Sequence, residues 1–130
     1  MANSNSANIK EHFKLAIEFL NTAKLLRKEG YLRSAVDRAY YGMYHAAIAA
    51  LLNKGIVTKT HKGLHQQFNK EYIKSGLLDA EMGKFLQRAY ILRQQSDYEI
   101  ASSLDDNQAE ELVDKAEEFI TKLQETLGIK

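Results

Sequence analysis

No proline occurs anywhere in this chain, and its glycines fall mostly where apolar repeats end. Proline breaks a helix by removing a backbone donor and clashing with the preceding turn. A proline-free chain with glycine stops therefore points to helices joined by short turns. Periodicity carries the same message. Phe13, Ile17, Leu20, Ala23 and Leu26 recur at three- and four-residue steps, which predicts a helix from about Ile9 to Glu29 with Gly30 as its stop. A second helix is expected from about Leu32 to Lys54, closed by Gly55, with Ile56–His61 as a connector. The third runs from about Lys62 to Lys74 before Ser75-Gly76, and the fourth from about Asp79, a suitable N-cap, to Gln95. The stretch SDYEIASSL reads as irregular or as a frayed turn. The last helix starts near Asp105 or Asp106 and runs to Leu127, its acidic opening suiting the positive end of the helix dipole. Short connections make sequential helices antiparallel neighbours. The expected fold class is all-α, an up-and-down antiparallel bundle of about five helices. A length of 130 residues suits one domain, 1–130, with residues 1–8 expected as a flexible N-terminus.

With no cysteine, the chain has no disulfide framework, no thiolate zinc site and no cysteine nucleophile. The N-terminus is polar, without the apolar core of a signal peptide, and no apolar run approaches the ~20 residues that cross a bilayer. A soluble cytoplasmic protein without membrane association is the expectation. Net charge is +1, but it is unevenly spread: residues 1–76 hold 12 Lys/Arg and 5 Asp/Glu, and residues 77–130 hold 6 and 12. One face is then free to attract phosphate, or the two halves attract each other or a second copy.

The second helix has two faces. At 100° per residue, Leu32, Ala35, Ala39, Met43, Ala46 and Ala50 share one side, with Gly42 at its border. These small side chains permit close approach of a neighbouring axis. Opposite them, Ser34, Arg38, Tyr41 and His45 cluster within roughly 60° of arc. Arg38 and His45 are two turns apart, about 10 Å in rise, within reach of one phosphate because the arginine side chain is long. Guanidinium binds phosphate oxygens bidentately and imidazole exchanges a proton near neutral pH. Tyr40 and Tyr44 lie elsewhere on the wheel and are expected to pack against other helices or a second subunit. The fragment EGYLRSAVDRAYYGMYHAA also resembles a single tetratricopeptide unit, which needs neighbours to cover its apolar face and so reads as a helix-pair packing solution.

The blocks RSAVDRAYYGMYHAAIAALL, KTHKGLHQQF and LRQQSDYE together resemble the HEPN family (higher eukaryotes and prokaryotes nucleotide-binding domains), in particular its small stand-alone prokaryotic members. The likeness spans about Ile9 to Leu127. The family's motif is an arginine and a histidine separated by four to six residues, and Arg38 and His45 enclose six. Ala39 and Ala47 stand where the familiar form has a polar residue and a tyrosine. The resemblance implies a homodimer with this pair at a cleft between protomers. It further implies a metal-independent endoribonuclease, often the toxin of a pair whose antitoxin is a minimal nucleotidyltransferase; some members bind partners or nucleotides without cutting RNA. No cofactor is implied.

Cleaving RNA without a metal requires a base for the 2′-hydroxyl, a cation for the phosphorane and an acid for the leaving oxygen. His45 and Arg38 suit these roles. One chain offers one histidine on this face, so the chemistry calls for two-fold pairing of the helix. Tyr44 and His61 are candidate supporting residues. Arg93, Asp97 and Tyr98 in the third block are expected to buttress the cleft through an ion pair or hydrogen bonds, reaching towards Arg38. His61 and His65, four apart, have the spacing of two metal ligands but no evident third, so they read as exposed histidines at a helix start. Lys59, Lys62, Lys70 and Lys74 either rim an RNA groove or solvate the third helix. Glu110, Glu111, Asp114, Glu117 and Glu118 read as a solvated face.

Overall fold

The structure, a computed structural model, describes residues 2–98 and 104–129, with side chains from Ser6 to Asp97 and from Leu104 to Ile129. It contains α1 (Ala2–Lys28), α2 (Leu32–Leu52), α3 (His61–Phe68), α4 (Ala80–Tyr98) and α5 (Asp106–Leu127), and among the described residues there is no strand. α3 runs directly into a π-helical turn, Asn69–Ile73.

α2 is the central element and packs against each of the other four helices. Cross-helix contacts set the directions. His12 meets His45 and Phe19 meets Tyr41, so α1 is antiparallel to α2. Arg93 meets Asp37 and Tyr40 meets Tyr90, so α4 is antiparallel to α2 as well. Arg27 reaches Glu110 and Asp106, and Arg88 reaches Glu111, which sets α5 antiparallel to both α1 and α4. α1, α2, α4 and α5 thus alternate in direction. α3 and its π-helical turn instead run alongside α2 in the same direction, His61 and His65 meeting Tyr40 and Tyr72 reaching Ala50, so the expectation that every sequential pair is antiparallel is corrected at α2–α3.

The small-residue face of α2 is the reason α1 lies so close. Ala35, Ala39, Met43, Ala46 and Ala50 are fully buried, together with Phe13, Ala16, Leu20 and Ala23 of α1. At Gly42 a Cβ would stand 3.1 Å from the Ala16 carbonyl oxygen and 3.4 Å from Ile120 Cδ1, so this crossing is tight for a methyl group and too tight for a larger side chain. Large residues fill the space where α3 and α5 close the core: Phe68 stacks on Tyr72 and leans on Phe119, and the Tyr72 hydroxyl donates to the Ala50 carbonyl. Each such buried aromatic contributes roughly 1.5–3 kcal/mol relative to exposure.

Local chemistry sets the ends. Thr60 caps α3, its hydroxyl accepting from Gly63 N at 2.9 Å. Asp105 and Gln108 form a reciprocal capping box at α5, and Gly128 ends it in the left-handed conformation. Three boundaries differ from expectation. α1 begins at Ala2, because nothing before Ile9 stops a helix. α2 ends at Leu52, two residues early, with Asn53 as its cap. α4 continues through Ser96-Asp97-Tyr98, part of the stretch expected to be irregular; there the buried Ser96 hydroxyl bonds the Arg93 carbonyl and Asp97 pairs with Arg93 one turn back. Residues 99–103 of that stretch lie outside the described residues.

The charge asymmetry is neutralised in part within the chain, through Lys24 and Arg27 of the basic half. Basic residues of α1 and α4 pair with the acidic α5: Lys24 with Glu117, Arg27 with Asp106 and Glu110, Arg88 with Glu111. Glu110, Glu111 and Glu117 are therefore paired as well as solvated. Such exposed pairs are worth at most about 1 kcal/mol each, so they orient more than they stabilise.

Candidate active site

α2 presents Arg38 and His45 two turns apart along one edge of its contact with α1, and α1 supplies what lies beside them. Phe19 sits against both: the Arg38 guanidinium is 5.5 Å from its ring centroid, and the His45 ring stacks on it at 5.5 Å and 11°. Tyr41 tilts against the same phenyl ring at 6.3 Å. Phe19 therefore joins the three members of the polar stripe. Arg38 is exposed, and among the described residues no carboxylate lies within ion-pair distance of it. Ser34 is exposed one turn before Arg38 and stands at the far end of the stripe.

His45 is half-buried and not solitary. Its Nδ1 lies 3.0 Å from Nδ1 of His12, a residue of α1 one turn-pair before Phe19. The expectation of one histidine per chain on this face is corrected here: the antiparallel register brings a second imidazole from the same chain. Burial, and then the neighbouring His12, lower the His45 pKa below its ordinary value, and burial lowers that of His12. Burial thus favours the neutral form of both rings, the form in which His45 accepts a proton.

Next to this lies a cluster of tyrosines and imidazoles. Tyr40 is fully buried, and its hydroxyl meets His61 Nδ1 at 2.7 Å and His65 Nε2 at 3.2 Å. Tyr44 packs on His61 at 4.6 Å and edge-on to His45 at 5.9 Å, linking the two groups. Tyr90 of α4 closes the far side against His61 and His65. His61 and His65 are not exposed histidines at a helix start; they are half-buried and hold a core hydroxyl. Burial, and then His61, push the His65 pKa down to about 4. Burial pushes the Tyr40 pKa up, so its proton stays on the hydroxyl. Among the described residues no three His, Cys, Asp or Glu side chains are placed to share a metal ion.

Arg93 of α4 is held between two carboxylates, its Nε 3.1 Å from Asp37 and 3.1 Å from Asp97, with its guanidinium 5.3 Å from the Tyr41 ring centroid. The buttress reaches Asp37, the neighbour of Arg38 in sequence, and not Arg38 itself. The two arginines share the Tyr41 region, but of the two only Arg93 is paired with carboxylates among the described residues. The Tyr98 side chain lies outside the described residues.

The fold thus brings Arg38, Tyr41 and His45 together, with Tyr44 and His61 adjoining and Arg93 and Asp97 behind. Sequence reasoning missed His12, Phe19, Asp37, His65 as a hydroxyl partner, and Tyr90. One signal was present: His12 and Phe19 are seven apart on α1, matching the spacing of Arg38 and His45 on α2. A guanidinium unpaired among the described residues, beside an imidazole that burial favours neutral, is suited to a phosphodiester, binding its oxygens and taking a proton from an adjacent hydroxyl.

Comparison with known proteins gives the family. The chain is 35% identical over 112 residues to a UPF0332 protein of Thermotoga maritima, covering 86% of this chain and 85% of that one. Two proteins of Methanocaldococcus jannaschii are also similar. "Putative toxin MJ0605" is 31% identical over 92% of this chain and 88% of its own length, and "Putative toxin MJ0142" is 34% identical over 83% and 74%. The model of the HEPN domain matches residues 9–126, nearly the whole helical bundle, and the chain belongs to the HEPN domain family.

Proposed function

We propose that this protein is a toxin-like, metal-independent endoribonuclease that works as a cytoplasmic homodimer, with two copies of the Arg38–His45 edge facing across one groove. The observation that carries the reading is the exposed Arg38, which has no carboxylate partner among the described residues, stacked through Phe19 next to a half-buried His45. One His45 takes the proton of a 2′-hydroxyl as the 2′-oxygen bonds to phosphorus. Arg38 holds the charge that builds on the phosphorane oxygens. The bond to the 5′-oxygen breaks, and that oxygen receives its proton from the His45 of the second copy, which enters the step as the imidazolium while the first is neutral, leaving a cyclic phosphate and a 5′-hydroxyl. Tyr41, Tyr44 and His61 offer rings on which flanking bases stack. The toxin names of the two relatives support the toxin-like part of this reading, and the antitoxin proposed with it is a minimal nucleotidyltransferase.

The test is cleavage of a mixed-sequence, single-stranded RNA oligonucleotide in excess chelator. The wild type should cut it, and His45→Ala and Arg38→Ala should each lower the rate at least about 100-fold while leaving the fold intact. Cleavage that survives His45→Ala rules the site out.

A second reading rests on a different observation. Ala39 and Ala47, which stand where the familiar motif has a polar residue and a tyrosine, are fully buried in the core and cannot reach a substrate. In that reading the same edge binds a nucleotidyltransferase or a nucleotide without chemistry. A stable complex with such a partner, and no RNA cleavage by free or bound protein, would decide for it.

A further inference from the structure

The contact between His12 and His45 has a consequence for the proton chemistry that the arginine–histidine motif does not contain. A hydrogen bond between two ring nitrogens holds a single proton, so one ring donates through Nδ1 and the other accepts there. In the neutral pair, the donor ring carries its lone pair on Nε2 and the acceptor ring carries its only N–H proton on Nε2. The two Nε2 atoms are therefore chemically opposite. A general base needs the lone pair at its free nitrogen.

We propose that His12 is a positioning residue for His45, accepting a hydrogen bond from its Nδ1–H so that Nε2 is left bare for the substrate hydroxyl. This inference rests on the nuclease reading above for what Nε2 does, but not for the tautomer itself. The distance of 3.0 Å between the two Nδ1 atoms is that of a hydrogen bond. The ring is also clamped. Phe19 stacks on one face of His45 at 5.5 Å and Tyr44 meets it edge-on at 5.9 Å, so rotation that would exchange the two nitrogens is opposed from both sides.

Among the described residues, the titratable groups in contact with the His45 ring are His12 of α1 and Tyr44 of its own helix, and Arg38 lies across the Phe19 ring. When Nε2 takes a proton, His45 becomes a cation with two donors. His12 still accepts at Nδ1, and the bond becomes charge-assisted and stronger. His12 therefore favours the protonated state formed during the reaction. Both imidazoles carrying charge at once is opposed by their mutual repulsion, which also lowers the His45 pKa.

The experiment has two independent arms on the full-length protein. Long-range proton–nitrogen NMR correlations of the histidine rings read the tautomer directly, with no substrate present. The wild type should show His45 protonated at Nδ1, and His12→Leu should move it to the Nε2–H form or to a mixture. In chelated buffer with the fluorescent single-stranded RNA oligonucleotide, His12→Leu should lower kcat at least about tenfold with KM little changed, and should displace the acidic limb of the kcat profile. His12→Asn, whose side-chain oxygen can still accept, should keep the Nδ1–H tautomer and most of the rate, and circular dichroism checks that both variants are folded. A wild-type His45 found in the Nε2–H form, or a tautomer unmoved by His12→Leu, overturns the proposal even if RNA is cut. The expected tautomers with no RNA cleavage by wild type overturn the nuclease reading and leave the positioning of His45 standing.

Discussion

Replacing Tyr40 by phenylalanine tests how the buried cluster beside the site is held. The ring would remain, and with it the packing against Tyr41 at 5.4 Å, Tyr90 at 5.5 Å and His61 at 5.7 Å. The hydroxyl and both of its bonds, to His61 Nδ1 at 2.7 Å and His65 Nε2 at 3.2 Å, would go. A typical hydrogen bond contributes about 1 kcal/mol net, and a half-buried nitrogen left without a partner costs of the same order again. Two effects reduce the loss: the phenol no longer has to be desolvated, and water reaches His61 from outside. The expected cost is about 2 kcal/mol, which for a domain of this size lowers Tm by roughly 6–10 °C. Thermal and urea unfolding followed by far-UV circular dichroism at neutral pH measures it. Tyr31→Phe is the matched control, because that tyrosine is 64% exposed. A Tyr40→Phe protein within about 0.5 kcal/mol of wild type would refute the reasoning, since the hydroxyl bonds would then give no net stability.

Acid should weaken the same cluster. The His65 pKa is about 4 in the folded protein and the ordinary value is 6.5, so between those values the unfolded chain binds the proton first. Its stabilising contribution is complete above pH 6.5 and drains away as pH falls towards 4, at no more than about 1.4 kcal/mol per pH unit. Partial solvent access reduces the total to roughly 2 kcal/mol. Urea titrations at pH 7 and pH 4 should show a smaller acid loss for His65→Asn than for wild type, and equal losses would contradict the assignment. At the α1–α2 crossing, Gly42→Ala should be nearly neutral, because helix propensity returns up to about 1 kcal/mol against a contact at 3.1 Å. Gly42→Val should cost about 2–3 kcal/mol by overpacking, and a Gly42→Val protein as stable as wild type would mean the helices can separate at no cost.

Much of the fold was legible because the signals are local. A Gly-terminated apolar repeat specifies where a helix stops, and the alanine stripe of α2 specifies which side is buried; both match the structure. Where local signals weaken, boundaries moved. α4 runs on through Asp97 because that carboxylate finds Arg93 and Asp37 nearby, a three-way arrangement across two helices that SDYEIASSL does not announce by itself. His61 and His65 read as a surface pair at metal-ligand spacing; only the packing of α3 against α2 turned them inward onto Tyr40.

The candidate site divides along the same line. Arg38, Tyr41 and His45 belong to one helix, so the 3.6-residue repeat determined from sequence alone that they share a face. What stands opposite them depends on how far α1 slides along α2, and no property of either helix read separately gives that register. Tertiary structure decided it, because Gly42 lets α1 approach and Ala16 and Leu20 settle over it, which carries His12 to His45 and Phe19 to Arg38. The sequence by itself determined a helical bundle with an arginine and a histidine on one edge. The close packing of two helices decided that this histidine has a second imidazole as its hydrogen-bond partner, and that this arginine has a phenyl ring beside it.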